Sequence, residues 1–178
     1  MHHLTVQSIV ICSPLGNTSQ AATAAMRAGF NNFRRSDDYF DLAGEPLIGS
    51  AIPELAEEKI DQRFAHMFAS VFQQYQATVA QFKAEKCGII LLLPENSRPG
   101  LVADFSKKFA QQIVANYHFH KSALCLPLGK HALVRALPFV VDIFTNNEDV
   151  DHVFMVGIDS YINEATIEHY LQQNRLLS

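Results

Sequence analysis

Several things are missing from this 178-residue sequence, and each absence removes a class of protein. No apolar run approaches the roughly 20 residues that span a bilayer, so no membrane segment is expected. The opening residues MHHLTVQS lack the basic flank and apolar core of a secretory signal, which makes the cytoplasm the expected location. An excess of basic charge is also missing. Fourteen Lys and Arg stand against 18 Asp and Glu, scattered along the chain, so nucleic acid is not an expected partner. Cys12, Cys87 and Cys125 make an odd set, each in or beside an apolar run, and read as buried free thiols of a reducing compartment. The phosphate-cradling patterns GxGxxG and GxxxxGK[ST] do not occur, and neither does the nucleophile elbow GxSxG. No cofactor is expected. His118-x-His120 has no carboxylate or second cysteine at ligand spacing, so it reads as a solvated loop and not as a metal site.

What remains is a well-cored chain, 48% apolar and 18% charged, read as a single domain over 1–178. The β-branched run at 5–12 predicts a strand, closed by the turn Ser13-Pro14-Leu15-Gly16. Asn17 or Thr18 then caps an Ala-rich helix that stops at Gly29. Arg34-Arg35 and Asp37-Asp38 predict a solvated loop, and 46–52 a short edge strand. Apolar residues at spacings of three and four, from Ile60 through Phe64, Val71 and Tyr75 to Phe82, predict a helix over 57–82 with a core-facing aromatic stripe. CGIILLL at 87–93 is the continuous apolar run of a strand buried on both faces of a parallel sheet. The turn-forming PENSRPG follows it, then a helix marked by Leu101, Val102, Phe105, Phe109, Ile113 and Tyr117. A strand at 122–126, a helix from 132, a strand at 152–157 and a helix over 163–173 complete the chain. Strands alternating with helices predict an α/β fold with a mostly parallel sheet and helices on both faces.

The helix at 132–144 is apolar almost all round: Ala132, Leu133, Val134, Ala136, Leu137, Phe139, Val140, Val141, Ile143 and Phe144. A helix with one wet face shows a stripe and not a collar, so this one needs cover on both sides. One hundred and seventy-eight residues are too few to supply both covers. The expectation is a symmetric dimer, or docking on a partner, with Leu133, Leu137, Val140, Val141 and Phe144 at the interface. Pro138 stands inside this helix, removing a backbone donor.

Three stretches carry a family resemblance. SIVICSPLGNTSQAATAAMRAG resembles the opening of β-ketoacyl synthases of the thiolase superfamily, where a strand ends in Pro-Leu-Gly-Asn and an Ala-rich helix closes with Arg-Ala-Gly. HVFMVGIDSYINEATIEHYLQQNRLL looks like that family's strand ending Val-Gly-Gly-Val-Asp-Ser, with its short helix and Leu-rich exit. LPENSRPG is similar to a loop of thiolase-like members. The resemblance implies the N-terminal half of a five-layered αβαβα fold, in which one helix of each half is buried between two sheets.

In the family a cysteine opens that buried helix. Aligned without gaps on Gly157 and Asp159, its position here falls between Leu128 and His131, where no cysteine occurs. Cys125 lies several residues earlier, within an apolar run that equally suits a structural thiol. Cys125 and His131 are therefore the catalytic candidates. Gly129, Lys130 and His131 open the helix with N–H groups suited to an anion. The two histidines that complete the condensing site belong to the family's second half. The resemblance thus implies a catalytically degenerate half-domain of fatty acid or polyketide biosynthesis, paired as a homodimer or with another thiolase-fold chain. An acyl carrier protein is a further implied partner. The alternative is an acyltransferase of the 3-oxoacyl synthase type, active only with a C-terminal half.

Overall fold

The computed structural model describes residues 4–79 and 82–176. They divide into two units: Gln7–Thr78 with Ser160–Ser178, and Val79–Asp159 with the residues up to Val6. In the first unit Thr18 caps helix α1 (Ser19–Arg27), its hydroxyl accepting the Ala21 N–H at 3.1 Å. Such a cap stabilises a helix by about 1 kcal/mol. At the other end Gly29 takes φ +76°, and the Phe30 N–H turns back to Ala25 O at 3.0 Å. That left-handed step satisfies carbonyls the helix leaves open.

Among the described residues the run at 5–12, expected as a strand, pairs with no other strand. β propensity measures fit to a pleated neighbour, and here Val6 and Ile9 stand 76% and 71% exposed. Side chains take the carbonyls instead: Ser19 Oγ donates to Ile9 O, and Gln74 Nε2 to Ile11 O. The charged stretch expected as a loop is strand β1 (Arg34–Phe40), antiparallel to β2 (Pro46–Gly49). An antiparallel ribbon can leave a face in water, and most of β1 is exposed, so charged residues are no obstacle to it. Its turn is set by Asp41, whose carboxylate accepts the N–H groups of Ala43 and Glu45 at 2.8 and 2.9 Å.

Helix α2 (Ile60–Thr78) buries Phe64, Phe68, Val71, Phe72 and Tyr75, which is the expected aromatic stripe. Ala80 and Gln81, in the last turn of the expected helix, lie outside the described residues. Arg63 is buried in the first turn of α2. Its guanidinium donates to the carbonyls of Leu55, Ala56 and Glu58 at 2.8–2.9 Å, to Ser160 Oγ at 3.1 Å, and to the carbonyl of Ile162.

The second unit is built on β3 (Cys87–Leu93), the CGIILLL run, at the centre of a three-stranded parallel sheet. It is followed by α3 (Phe105–Tyr117), β4 (Ala123–Pro127), α4 (Ala132–Asn146) and β5 (His152–Gly157), in the strand order β4-β3-β5. The register sets Leu91 beside Cys125 on one side and Val156 on the other. Ile89, Ile90, Leu91 and Leu93 are at most 1% exposed, each contributing about 1.5–3 kcal/mol of burial. Ile90 and Leu92 pack under α4 with Ala136, Val140, Ile143 and Phe144, while α3 lies over the opposite face beside Leu91 and Cys125. The parallel sheet with a helix on each face is as the sequence predicts. Helix α3 starts later than expected, leaving Val102 in the connection at 62% exposure.

Pro138 sits inside α4 without ending it. Helix α5 (Glu164–Gln172) belongs to the first unit and is capped by Asn163, whose carbonyl oxygen accepts the Thr166 N–H. Among the described residues no helix is long and apolar enough to cross a membrane.

Candidate functional site

In parallel α/β sheets the carboxyl ends of the strands are where loops converge and ligands bind. Here one charged network ties the loops after β3 and β5 together, and the turn after β4 packs against it. Arg98, in the turn after β3, is 5% exposed. Its guanidinium donates to Glu95 Oε2 at 2.9 Å and to the Asp159 carboxylate beyond the end of β5. Glu95 in turn lies against Gly129, in the turn after β4. Gly129 has φ +52°, and a Cβ built there would fall 2.0 Å from Glu95 Oε1. Only a residue without a side chain allows that approach.

The electrostatics follow from this packing. The Glu95 carboxyl is held below the usual carboxylate range, first by a hydrogen bond from its own backbone N–H. The Arg98 bond and charge add to this, as does the charge of His131, while partial burial works against it. Arg98 is a buried cation between two half-exposed carboxylates, and its chemistry is that of a clamp between the loops after β3 and β5.

The two catalytic candidates face different surroundings. His131 is exposed, in the turn Gly129–His131 that leads into α4, beside Glu95. Cys125 is half-buried on the α3 face of β4, its Sγ 3.6 Å from Ser106 O. Burial pushes its thiol up to about 11, which keeps it protonated at neutral pH. It lines a groove of about 550 Å³ between α3 and β4, with Leu91, Asn96, Ser106, Lys107 and Val114. The stretch where the family resemblance locates a catalytic cysteine is Leu128, Gly129, Lys130 and His131, with the Glu95 carboxylate against its glycine.

The expected interface residues divide in two. Leu133 and Leu137 point outward, 53% and 52% exposed, with Val134 at 72% and Phe139 at 40%. Val140 and Phe144 pack against the sheet, and Val141 is half-buried. Of the collar, only Ala132, Ala136 and Ile143 are buried.

Sequence reasoning treated PENSRPG as a turn and missed Glu95, Arg98 and Asp159. The available signal was two opposite charges in a short loop directly after a wholly apolar parallel strand. Among the described residues no group of three or more His, Cys, Asp and Glu side chains is placed to hold a metal ion. Comparison with protein-family models and with curated proteins gives no match for the chain.

Proposed function

We propose that the chain is a β-ketoacyl-synthase-like, thiolase-type half-domain that acts by association, as a homodimer or on another thiolase-fold chain. Catalysis of its own is not part of this reading. The observation that carries it is the outer face of α4. Leu133, Val134 and Leu137, at spacings of three and four, expose apolar surface side by side on one helix, where soluble monomers rarely leave a contiguous patch. A second copy, or a partner with a matching face, supplies the missing cover. The three free thiols accord with a reducing, cytoplasmic setting.

The acyltransferase alternative requires a thiolate to carry the acyl group. A Cys125 thiol pushed up to about 11 by burial does not favour it. The deciding experiment is light scattering on the purified chain over a concentration series. A dimer at micromolar concentration is the expected result. A monomer throughout that range ends the association reading.

A further inference from the structure

The connection from α3 to β4 runs beneath the amino ends of the sheet strands. The sequence predicts a solvated loop there, but His120 is only 7% exposed. Its backbone N–H donates to Cys87 O at 3.0 Å, and the Ile89 N–H donates to Ser122 O at 3.3 Å. The connection is thereby laid against the first residues of β3.

The ring adds a second tie. His120 Nδ1 accepts the Ser122 backbone N–H at 3.1 Å. A ring nitrogen that accepts carries no hydrogen, so the neutral ring holds its proton on Nε2. Nε2 stands 3.4 Å from Asp149 Oδ2, in the turn that precedes β5. Val150, next in that turn, is buried in the core under α4. One neutral imidazole therefore spans from the start of β4 to the turn before β5, the two outer strands on either side of β3.

A second proton reverses one of these contacts. Nδ1–H and Ser122 N–H then face each other as two donors, with no acceptor between them. Asp149 attracts the charged ring, but its side chain is 70% exposed, and ion pairs with so wet a partner contribute little. The other titratable groups on the surrounding elements are differently engaged. Lys86 pairs with Asp151 at 3.3 Å, and Cys87 is a buried thiol pushed up to about 12. Tyr117, raised by burial, closes α3, His118 and Lys121 lie on the same connection, His152 opens β5, and Asp142 is exposed on α4. Among the described residues the ion-pair partner of the ring is Asp149.

We propose that His120 is a proton-sensitive clamp at the amino end of the parallel sheet, holding the start of β4 while its ring is neutral and releasing the Ser122 end when the ring takes a second proton. The test is an NMR titration of the whole ¹⁵N-labelled chain from about pH 8 to about pH 5, the range in which histidines change charge. The readouts are the His120 ring nitrogens and the protection factor of the Ser122 amide. The expected result is an Nε2–H tautomer at the alkaline end. On protonation, Ser122 protection falls by about two- to tenfold, as for loss of one ordinary hydrogen bond, while the Ile90 and Leu91 amides keep theirs. His120→Asn keeps an acceptor near the Nδ1 position and cannot titrate, so its Ser122 protection stays level. An Nδ1–H tautomer at about pH 8 overturns the proposal, as does wild-type Ser122 protection that stays flat through the ring titration. Both of those readouts need no variant. An equal pH-dependent loss in His120→Asn overturns it as well.

Discussion

The outer face of α4 makes the association reading quantitative. The exposures of Leu133, Val134 and Leu137, which share that face, amount together to a little under two whole side chains left in water. Burying one such side chain contributes about 1.5–3 kcal/mol, so each copy offers about 3–5 kcal/mol and a symmetric pair about 5–11 kcal/mol. Association costs about 4–15 kcal/mol in lost translational and rotational freedom. The two ranges overlap, so one residue at the centre of the face decides the outcome. Leu137→Asp withdraws about 1–1.5 kcal/mol per copy and sets a carboxylate into an apolar contact, which costs more again. The expected loss in dimer affinity exceeds about 100-fold, with unchanged helicity by circular dichroism because Leu137 is already half-exposed. Asp142→Asn, an exposed polar change on the same helix, leaves affinity within a few-fold. Sedimentation equilibrium reads all three chains. A Leu137→Asp chain that dimerises as tightly as the wild type refutes the reasoning, because the contact then lies elsewhere.

Three further outcomes follow from the loop network and the groove. Gly129→Ala is expected to cost about 2 kcal/mol, from a left-handed alanine plus a Cβ that displaces Glu95. In a Glu95→Ala background that cost drops to the backbone strain alone, and strict additivity in a urea double-mutant cycle contradicts the contact. Arg98→Met is expected to cost about 2–3 kcal/mol, less than for a fully buried pair, because Glu95 and Asp159 are partly exposed and regain water. The Glu95 carboxyl is lowered in the folded state. Its stabilisation is therefore complete above the unfolded value of about 4.3 and is lost as pH falls through the folded one. In Arg98→Met this acid dependence of Tm flattens but persists, since the backbone N–H bond is its first cause, and a slope equal to wild type contradicts the assignment. Cys125, pushed up to about 11, is expected to alkylate far more slowly at neutral pH than a free thiol. Iodoacetamide labelling read by peptide mass spectrometry checks this, and fast modification at pH 7 contradicts it.

The elements legible in the sequence are those whose pattern already encodes burial. CGIILLL has the length and unbroken apolarity typical of a strand covered on both sides, and β3 has the bounds expected of it. The aromatic spacing of α2 and the cap of α1, open between Asn17 and Thr18 and taken by Thr18, are local chemistry, written within four residues of where they act. What escaped depends on partners distant in sequence. The β-branched run at 5–12 looks like a strand but has no strand partner among the described residues, whereas the charged RRSDDYF has one in β2. At the candidate site, the helix opening Gly129–His131 was legible from its place before an apolar collar. Arg98 was not, because Asp159, which it binds, lies 61 residues away. His120 looked wet for the same reason, since Cys87 and Asp149, which hold it, lie far from it along the chain.

Arg63 bears on the order in which the chain emerges during synthesis. Three of its acceptors, the carbonyls of Leu55, Ala56 and Glu58, are made before it. The last two, on Ser160 and Ile162, follow 97 and 99 residues later. At about 5–20 residues per second, the ribosome leaves this guanidinium incompletely bonded for several seconds or more. During that interval the whole of β3 through β5 is translated as one uninterrupted block. A chain cut short at Asp159 would retain every strand of the parallel sheet, yet α2, made well before them, would still lack the contacts that complete its opening turn.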